Sequence, residues 1–142
     1  MRLWTLQANK SVAELVNEGV LLARWERYPN DGWKMAYQFM RDQMEKKGIP
    51  CNGFAPIWAF YSCRSKVPTL GDARNLLSDL EIGGGIKVVA FECPDDKALL
   101  TAYSAWNDIL YQFLTDKKST EITAVMQRKM YAIHPPKLSV YD

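Results

Sequence analysis

The sequence predicts an α+β fold: a single compact domain over residues 1–142, with a small mixed sheet, a buried central strand near 86–93 and three to five packed helices. Three observations lead there. The run Ile86, Val88, Val89, Ala90, Phe91 and Cys93 is almost unbroken in apolar character and rich in β-branched residues, the pattern of a strand covered on both faces. Two longer stretches, around Trp33 to Met44 and around Leu99 to Phe113, repeat apolar residues every three or four positions, as an amphipathic helix does. Finally, 142 residues with 48% apolar and 24% charged side chains suffice for one core burying roughly 70% of the unfolded surface, without a disulfide or metal staple.

Taken in order, Arg2 to Gln7 alternates apolar Leu3, Trp4 and Leu6 with polar Thr5 and Gln7, and reads as a strand that is either an edge or tucked into the sheet. Asn9 or Ser11 caps a helix in which Val12, Leu15 and Val16 share a face, and Gly19 ends it because glycine takes positive φ without strain. Val20 to Ala23 is a candidate second strand, and Arg24 to Asn30 a connecting loop. Asp31 caps the next helix, in which Trp33, Ala36, Tyr37, Met40 and Met44 recur with helical period up to the Gly48-Ile49-Pro50 stop. Ile57 to Ser62, aromatic on both sides, is a strand; Arg64 to Asp72 is a loop; Asp72 to Leu80 fits a short helix. Gly83-Gly84-Gly85 starts the central strand and Pro94, which lacks a backbone donor, stops it. Asp95 or Asp96 then caps a helix carrying Leu99, Leu100, Tyr103, Trp106, Ile109, Leu110 and Phe113 as its apolar stripe. Ile122, Val125, Met126 and Met130 mark a final helix, and an extended tail with Pro135-Pro136 begins at about 133.

Charge and cysteine content narrow the function classes. Eighteen basic side chains against sixteen acidic leave a net charge of +2, which supplies no electrostatic footprint for nucleic acid. Lys46-Lys47 and Lys117-Lys118 read as solvated helix ends. Cys51, Cys63 and Cys93 have no zinc-type spacing and there is one histidine, so no metal site is expected. No signal peptide is recognisable, and no apolar run approaches the roughly 20 residues that span a bilayer, so no membrane association and a cytoplasmic location are expected.

Few constellations carry chemistry. The three glycines lack a following Gly-Lys-Ser/Thr and precede a strand, so they fit a turn better than a phosphate cradle. Cys51 or Cys63 beside His134 would be needed for thiol catalysis, and nothing local pairs them. Glu92, Asp95 and Asp96 cluster at the end of the central strand. Glu92 is the candidate catalytic residue, on a face shared with Val88 and Ala90, where partial desolvation would raise its pKa. The plainer alternative has Glu92 emerging at the rim and an aspartate capping the helix. Thr5, Gln7, Tyr37, Trp58, Tyr61 and Asp95 are the candidate ligand-binding residues, polar handles and rings that could line a cleft at the strand ends. Core packing alone would also explain most of the aromatic side chains.

Several pieces occur together in a telling order: Leu3-Trp4-Thr5-Leu6-Gln7; Ala36-Tyr37-Gln38-Phe39-Met40 with Gln43-Met44; Pro56-Ile57-Trp58-Ala59-Phe60-Tyr61; and Glu92-Cys93-Pro94-Asp95-Asp96 with Leu99-Leu100 and Trp106. In these the chain resembles a bacterial and phage family known as domain of unknown function 3841. The resemblance spans nearly the whole chain and implies a compact soluble module. The family pattern often carries Ser-Asp at Thr101-Ala102 and His at Asn107, so chemistry built on that acid or imidazole does not carry over residue for residue.

Two functions follow as expectations. The first is a protein-interaction or regulatory module of bacterial or phage origin, with no cofactor and an unknown protein or small-molecule partner. It is motivated by the shortage of catalytic side chains. The second is a small NAD-using transferase resembling ADP-ribosyltransferases, with a cleft at the strand ends. It rests on the order of elements and needs Thr5 or Gln7 to replace the usual first-strand His or Arg.

Overall fold

The computed structural model describes residues 1–28, 30–61, 82–115, 122 and 124–132. Among them the fold is α+β, with two antiparallel strands and four helices, divided between two compact units.

The first unit takes Met1–Leu22 and, of the described residues, 57–61 and 82–95. Strand β1 (Arg2–Ala8) pairs antiparallel with β2 (Ile86–Glu92), in a register running from Arg2 opposite Glu92 to Ala8 opposite Ile86. Beyond the last pair, the Met1 amine donates to the Cys93 carbonyl at 2.6 Å and the Cys93 N–H donates to the Met1 carbonyl at 2.8 Å. On the other edge of β1, Trp4 and Phe60 exchange both backbone hydrogen bonds, at 3.1 and 2.7 Å. Thus β1 is bonded along both edges. It is also covered on both faces, since Leu3, Thr5 and Leu6 are all buried.

The strand near 86–93 is present, but its expected burial is not. Lys87, Val88, Ala90 and Glu92 are exposed, Val88 at 40%, and Ile86, Val89 and Phe91 are half-buried. Unbroken apolar character marked the run as a two-face strand. The structure gives that environment to β1, whose sequence alternates, because β1 is the strand with partners on either side. The sheet, expected to be mixed, is an antiparallel pair among the described residues.

Helix α1 (Asn9–Glu18) follows β1 directly, and its first N–H, of Asn9, donates to the Gly85 carbonyl at 3.0 Å. Gly85 sits at φ 89°, where a Cβ would run into the Asn9 side chain. Gly19 closes the helix in the left-handed region at φ 76°, its N–H donating to Leu15 at 2.8 Å, as the sequence indicates. Ala8, and neither Asn9 nor Ser11, holds the N-cap position, with no side-chain cap. The face of Val12, Leu15 and Val16 is not buried: no α1 residue is, and Val16 is 77% exposed.

The second unit takes Ala23–Pro56 and, of the described residues, 96–115, 122 and 124–132. Helix α2 (Asp31–Lys46) is capped by Asn30 and not by Asp31, with Asn30 Oδ1 accepting from the Trp33 N–H at 3.0 Å. Helices α3 (Tyr103–Leu114) and α4 (Ala124–Tyr131) complete it. Its core joins Ala36 and Phe39 of α2, Ala105, Ile109 and Phe113 of α3, Ile122, and Met130 of α4. Gly32 lets α2 approach α3, since a Cβ there would lie 3.0 Å from the Phe113 carbonyl oxygen.

Helix α3 starts later than the sequence suggests. Asp95 and Asp96 enter a single 3-10 turn (Asp95–Lys97), and Leu99 and Leu100 lie outside any helix. The Ala102 N–H donates across to the Met130 carbonyl at 2.7 Å, so it cannot take part in a helix begun at Lys97. The stripe shifts accordingly to Ala105, Ile109 and Phe113, and Tyr103 is exposed. Of the strands expected at Val20–Ala23 and Ile57–Ser62, the described residues keep only isolated bridges, Ala23 to Ala55 and Phe60 to Trp4. The loop at Arg64–Asp72, the helix at Asp72–Leu80, Cys63 and the tail from 133 with His134 lie outside the described residues.

Ile109→Ala is expected to cost about 2–5 kcal/mol in urea unfolding, because it opens a cavity in a closed core. Val88→Thr, on an exposed position and still β-branched, is expected to stay within about 0.5 kcal/mol. Equal losses in the two variants would return β2 to the interior.

Candidate functional site

The most distinctive side-chain assembly lies in the second unit and is aromatic. A 3-10 turn (Trp25–Arg27) supplies Trp25 and leads to Tyr28, while α2 supplies Trp33, Tyr37 and Arg41 at four-residue spacing, on one stripe. Tyr37 is at the centre. Tyr28 stacks on it with ring centroids 4.8 Å apart, Trp33 stacks at 6.3 Å, and Trp106 of α3 meets it edge-on at 5.8 Å. Trp25 tilts against Tyr28 at 5.9 Å, and the Arg41 guanidinium lies 5.6 Å from the Trp25 ring centroid. Offset stacks and edge-to-face contacts suit the ring quadrupole, and a guanidinium over an indole is attracted by it.

A turn fixes the outer end of this column. Asn52 and Gly53 both take positive φ, 54° and 83°, and the Phe54 N–H donates to the Cys51 carbonyl at 3.0 Å. An Asn-Gly pair meets that demand with little strain. The Gly53 carbonyl then accepts from the Trp25 indole N–H at 3.0 Å. Tyr37 is buried, whereas Trp25, Tyr28, Trp33 and Trp106 are half-buried. Burial pushes the Tyr28 phenol up to about 12. Arg41 also pairs with Asp42 at 3.1 Å. Such an assembly can bind through ring faces, edges and one cation.

The residues singled out from sequence fall in both units, and within the first they take both faces of the sheet. Thr5 is fully buried and accepts a hydrogen bond from Gln7 Nε2 at 2.8 Å, so these two meet. Glu92 stands opposite Arg2, bonded to it at 3.0 Å, with its side chain 68% exposed. Directly paired residues of an antiparallel ladder project to the same face and neighbours along a strand to opposite faces. The register therefore sets Thr5 and Gln7 on one face of the sheet and Glu92, with Arg2 and Trp4, on the other. Of the two readings of Glu92, the exposed side chain agrees with the plainer one, in which it emerges at the rim, and not with partial desolvation. Asp95 is 85% exposed and lies 3.3 Å from the Met1 amine. Trp58 meets Phe60 edge-on at 5.7 Å, and Tyr61 is half-buried one residue beyond the Phe60 bridge. Tyr37 alone belongs to the second unit, at the heart of the column.

Sequence reading placed Trp25 and Tyr28 in a connecting loop, left out Arg41, and left Trp33 and Trp106 open between core packing and the lining of a cleft. A signal was present: Trp33, Tyr37 and Arg41 share a helical stripe, and Trp25 and Tyr28 are three apart before it. Among the described residues no group of His, Cys, Asp and Glu could hold a metal ion, and no helix is long and apolar enough to cross a membrane.

Comparison with known proteins agrees with the resemblance seen in the sequence. The model of a family described as a domain of unknown function, DUF3841, matches residues 2–133, and the chain belongs to that family. No curated protein and no solved structure matches it.

Absorbance titration is expected to show a tyrosine ionising near pH 12, a step removed by Tyr28→Phe. The folded chain holds that proton above the ordinary tyrosine value of 10.0. The stability it contributes is therefore complete below about pH 10 and lost as pH rises from 10 towards 12. Cys51 is half-buried and its thiol is pushed up, by burial first and then by Glu45, against a smaller lowering from Arg41. Disulfide-exchange labelling of Cys51 at neutral pH should be slower than that of a free thiol, and faster in Glu45→Gln.

Proposed function

We propose that this member of the DUF3841 family is a protein-interaction or regulatory module, and that the aromatic column of its second unit is the surface it offers to a partner. One observation carries the reading: four of the five rings lie half-buried around Tyr37, with a guanidinium over the outermost. Rings of that kind gain by being covered, and tryptophan, tyrosine and arginine supply most of the binding energy at protein interfaces. The column is held by the Trp25 indole bond to Gly53 and by α2, so little ordering remains to be done on binding.

The setting we propose is the cytoplasm of a bacterium or of a phage-infected cell. The free thiols Cys51 and Cys93 fit a reducing compartment. The module needs no cofactor in this reading. The alternative, an NAD-using transferase, requires Thr5 or Gln7 to share a cleft with Glu92, and these residues project to opposite faces of the sheet.

Selection from a random displayed-peptide library on the immobilised protein tests the proposal. Enriched peptides are expected to bind the protein in solution and to lose about tenfold or more in affinity against Trp33→Ala or Trp25→Ala, with helix content retained. Peptides indifferent to both substitutions, or a calorimetric signal with NAD, would overturn it.

A further inference from the structure

Away from the column, the second unit brings together two basic runs that the sequence keeps more than eighty residues apart. Helix α2 ends in Lys46 with Lys47 as its C-cap, and α4 carries Arg128 and Lys129 in its last turn. The ends meet through Tyr131: its hydroxyl donates to Gln43 Oε1 at 2.8 Å, and the Lys47 ammonium lies 4.5 Å from its ring centroid. Arg128 is three residues before Tyr131 on α4, one turn or roughly 5 Å along the helix.

A helix C-terminus attracts a cation or two by its partial negative charge, and that accounts for each run separately. It does not account for two runs held at one corner. Lys46, Arg128 and Lys129 are exposed, and among the described residues no carboxylate pairs with them. Of the acids nearest on α2, Asp42 binds Arg41, and Glu45, exposed and one residue before Lys46, makes no ion pair among the described residues. Like charges gathered within a Debye length repel unless an anion joins them. The chain has a net charge of only +2, so Lys46, Lys47, Arg128 and Lys129 on two helix ends joined through Tyr131 are a local concentration.

We propose that this corner, where the cations outnumber the carboxylates, is a contact for an acidic segment of a partner protein. The proposal rests on the reading of the chain as an interaction module, but on different residues from the column. An acidic peptide suits it better than a nucleic acid. The patch is four cations wide, and its one ring, Tyr131, already has an ammonium over it, whereas tracking a phosphate backbone takes a longer basic groove with rings free to stack.

The test is fluorescence anisotropy with a labelled oligoglutamate peptide, alongside an oligothymidylate of equal charge. The full chain is expected to bind oligoglutamate at low salt, to release it as salt rises, and to lose about tenfold or more in affinity in Lys46→Glu/Lys129→Glu. Lys46→Gln/Lys129→Gln should lose less, and Trp33→Ala nothing. Failure to bind, binding untouched by charge reversal, or preference for oligothymidylate would overturn the acidic-segment contact. Those outcomes leave the Trp33 dependence of library peptides as a separate result, so the two proposals fail separately.

Discussion

The register of β1 against β2 is the constraint from which the first unit follows. Once Arg2 stands opposite Glu92, each side chain of both strands is assigned to a face, because the pleat repeats every two residues and allows no intermediate choice. Leu3, Thr5 and Gln7 go one way, and Arg2, Trp4 and Leu6 the other. Backbone bonds between Trp4 and Phe60 then close the remaining edge of β1. A strand bonded on both edges and covered on both faces is the natural place for the buried Thr5 hydroxyl, whose hydrogen bond from Gln7 offsets its desolvation. The same register keeps Glu92 in water, joined to Arg2 as a surface pair of small energetic weight.

The second unit is organised by a different rule. Its core is a small set of positions at helical spacing, Ala36 and Phe39 against Ala105, Ile109 and Phe113, with Met130 closing it. Small residues at Gly32, Ala36 and Ala105 permit close approach, and the larger ones fill the space between. The aromatic column occupies the neighbouring stripe of α2. Its rings pack on one another around Tyr37, which makes that stripe rigid while leaving its outer rings partly wet. A surface with this character is costly to leave uncovered and cheap to order, and that is the support for the binding role proposed for it.

Much of this was legible in the residues. Helix α2 was visible in its period and in the Gly48-Ile49-Pro50 stop, and the Gly19 cap in the freedom that positive φ demands. β2 was visible in its β-branched run, its glycine start and its proline end. The family resemblance was legible in the order of its pieces. What misled was environment. Apolar content said that Val88 and Ala90 could be buried, but burial depends on what lies opposite. Val16 makes the same point on α1, where an apolar position stands in solvent. The start of α3 was displaced by one long-range hydrogen bond, from Ala102 to Met130, which no local pattern announces. Of the candidate site, only Tyr37 was named in advance; its partners Tyr28 and Arg41 gained meaning from the turn that carries Trp25 to them.

The sequence by itself determined the classes of element, most of their ends and the family, because these depend on interactions between residues a few positions apart. Tertiary structure alone decided which strand lies between partners, which face Glu92 takes, and that the Lys46-Lys47 end of α2 meets the end of α4 at Tyr131. Those outcomes depend on hydrogen bonds and ring contacts between residues tens of positions apart, such as Trp4 with Phe60 and Lys47 with Tyr131, and periodicity along a chain carries no record of what its faces will meet.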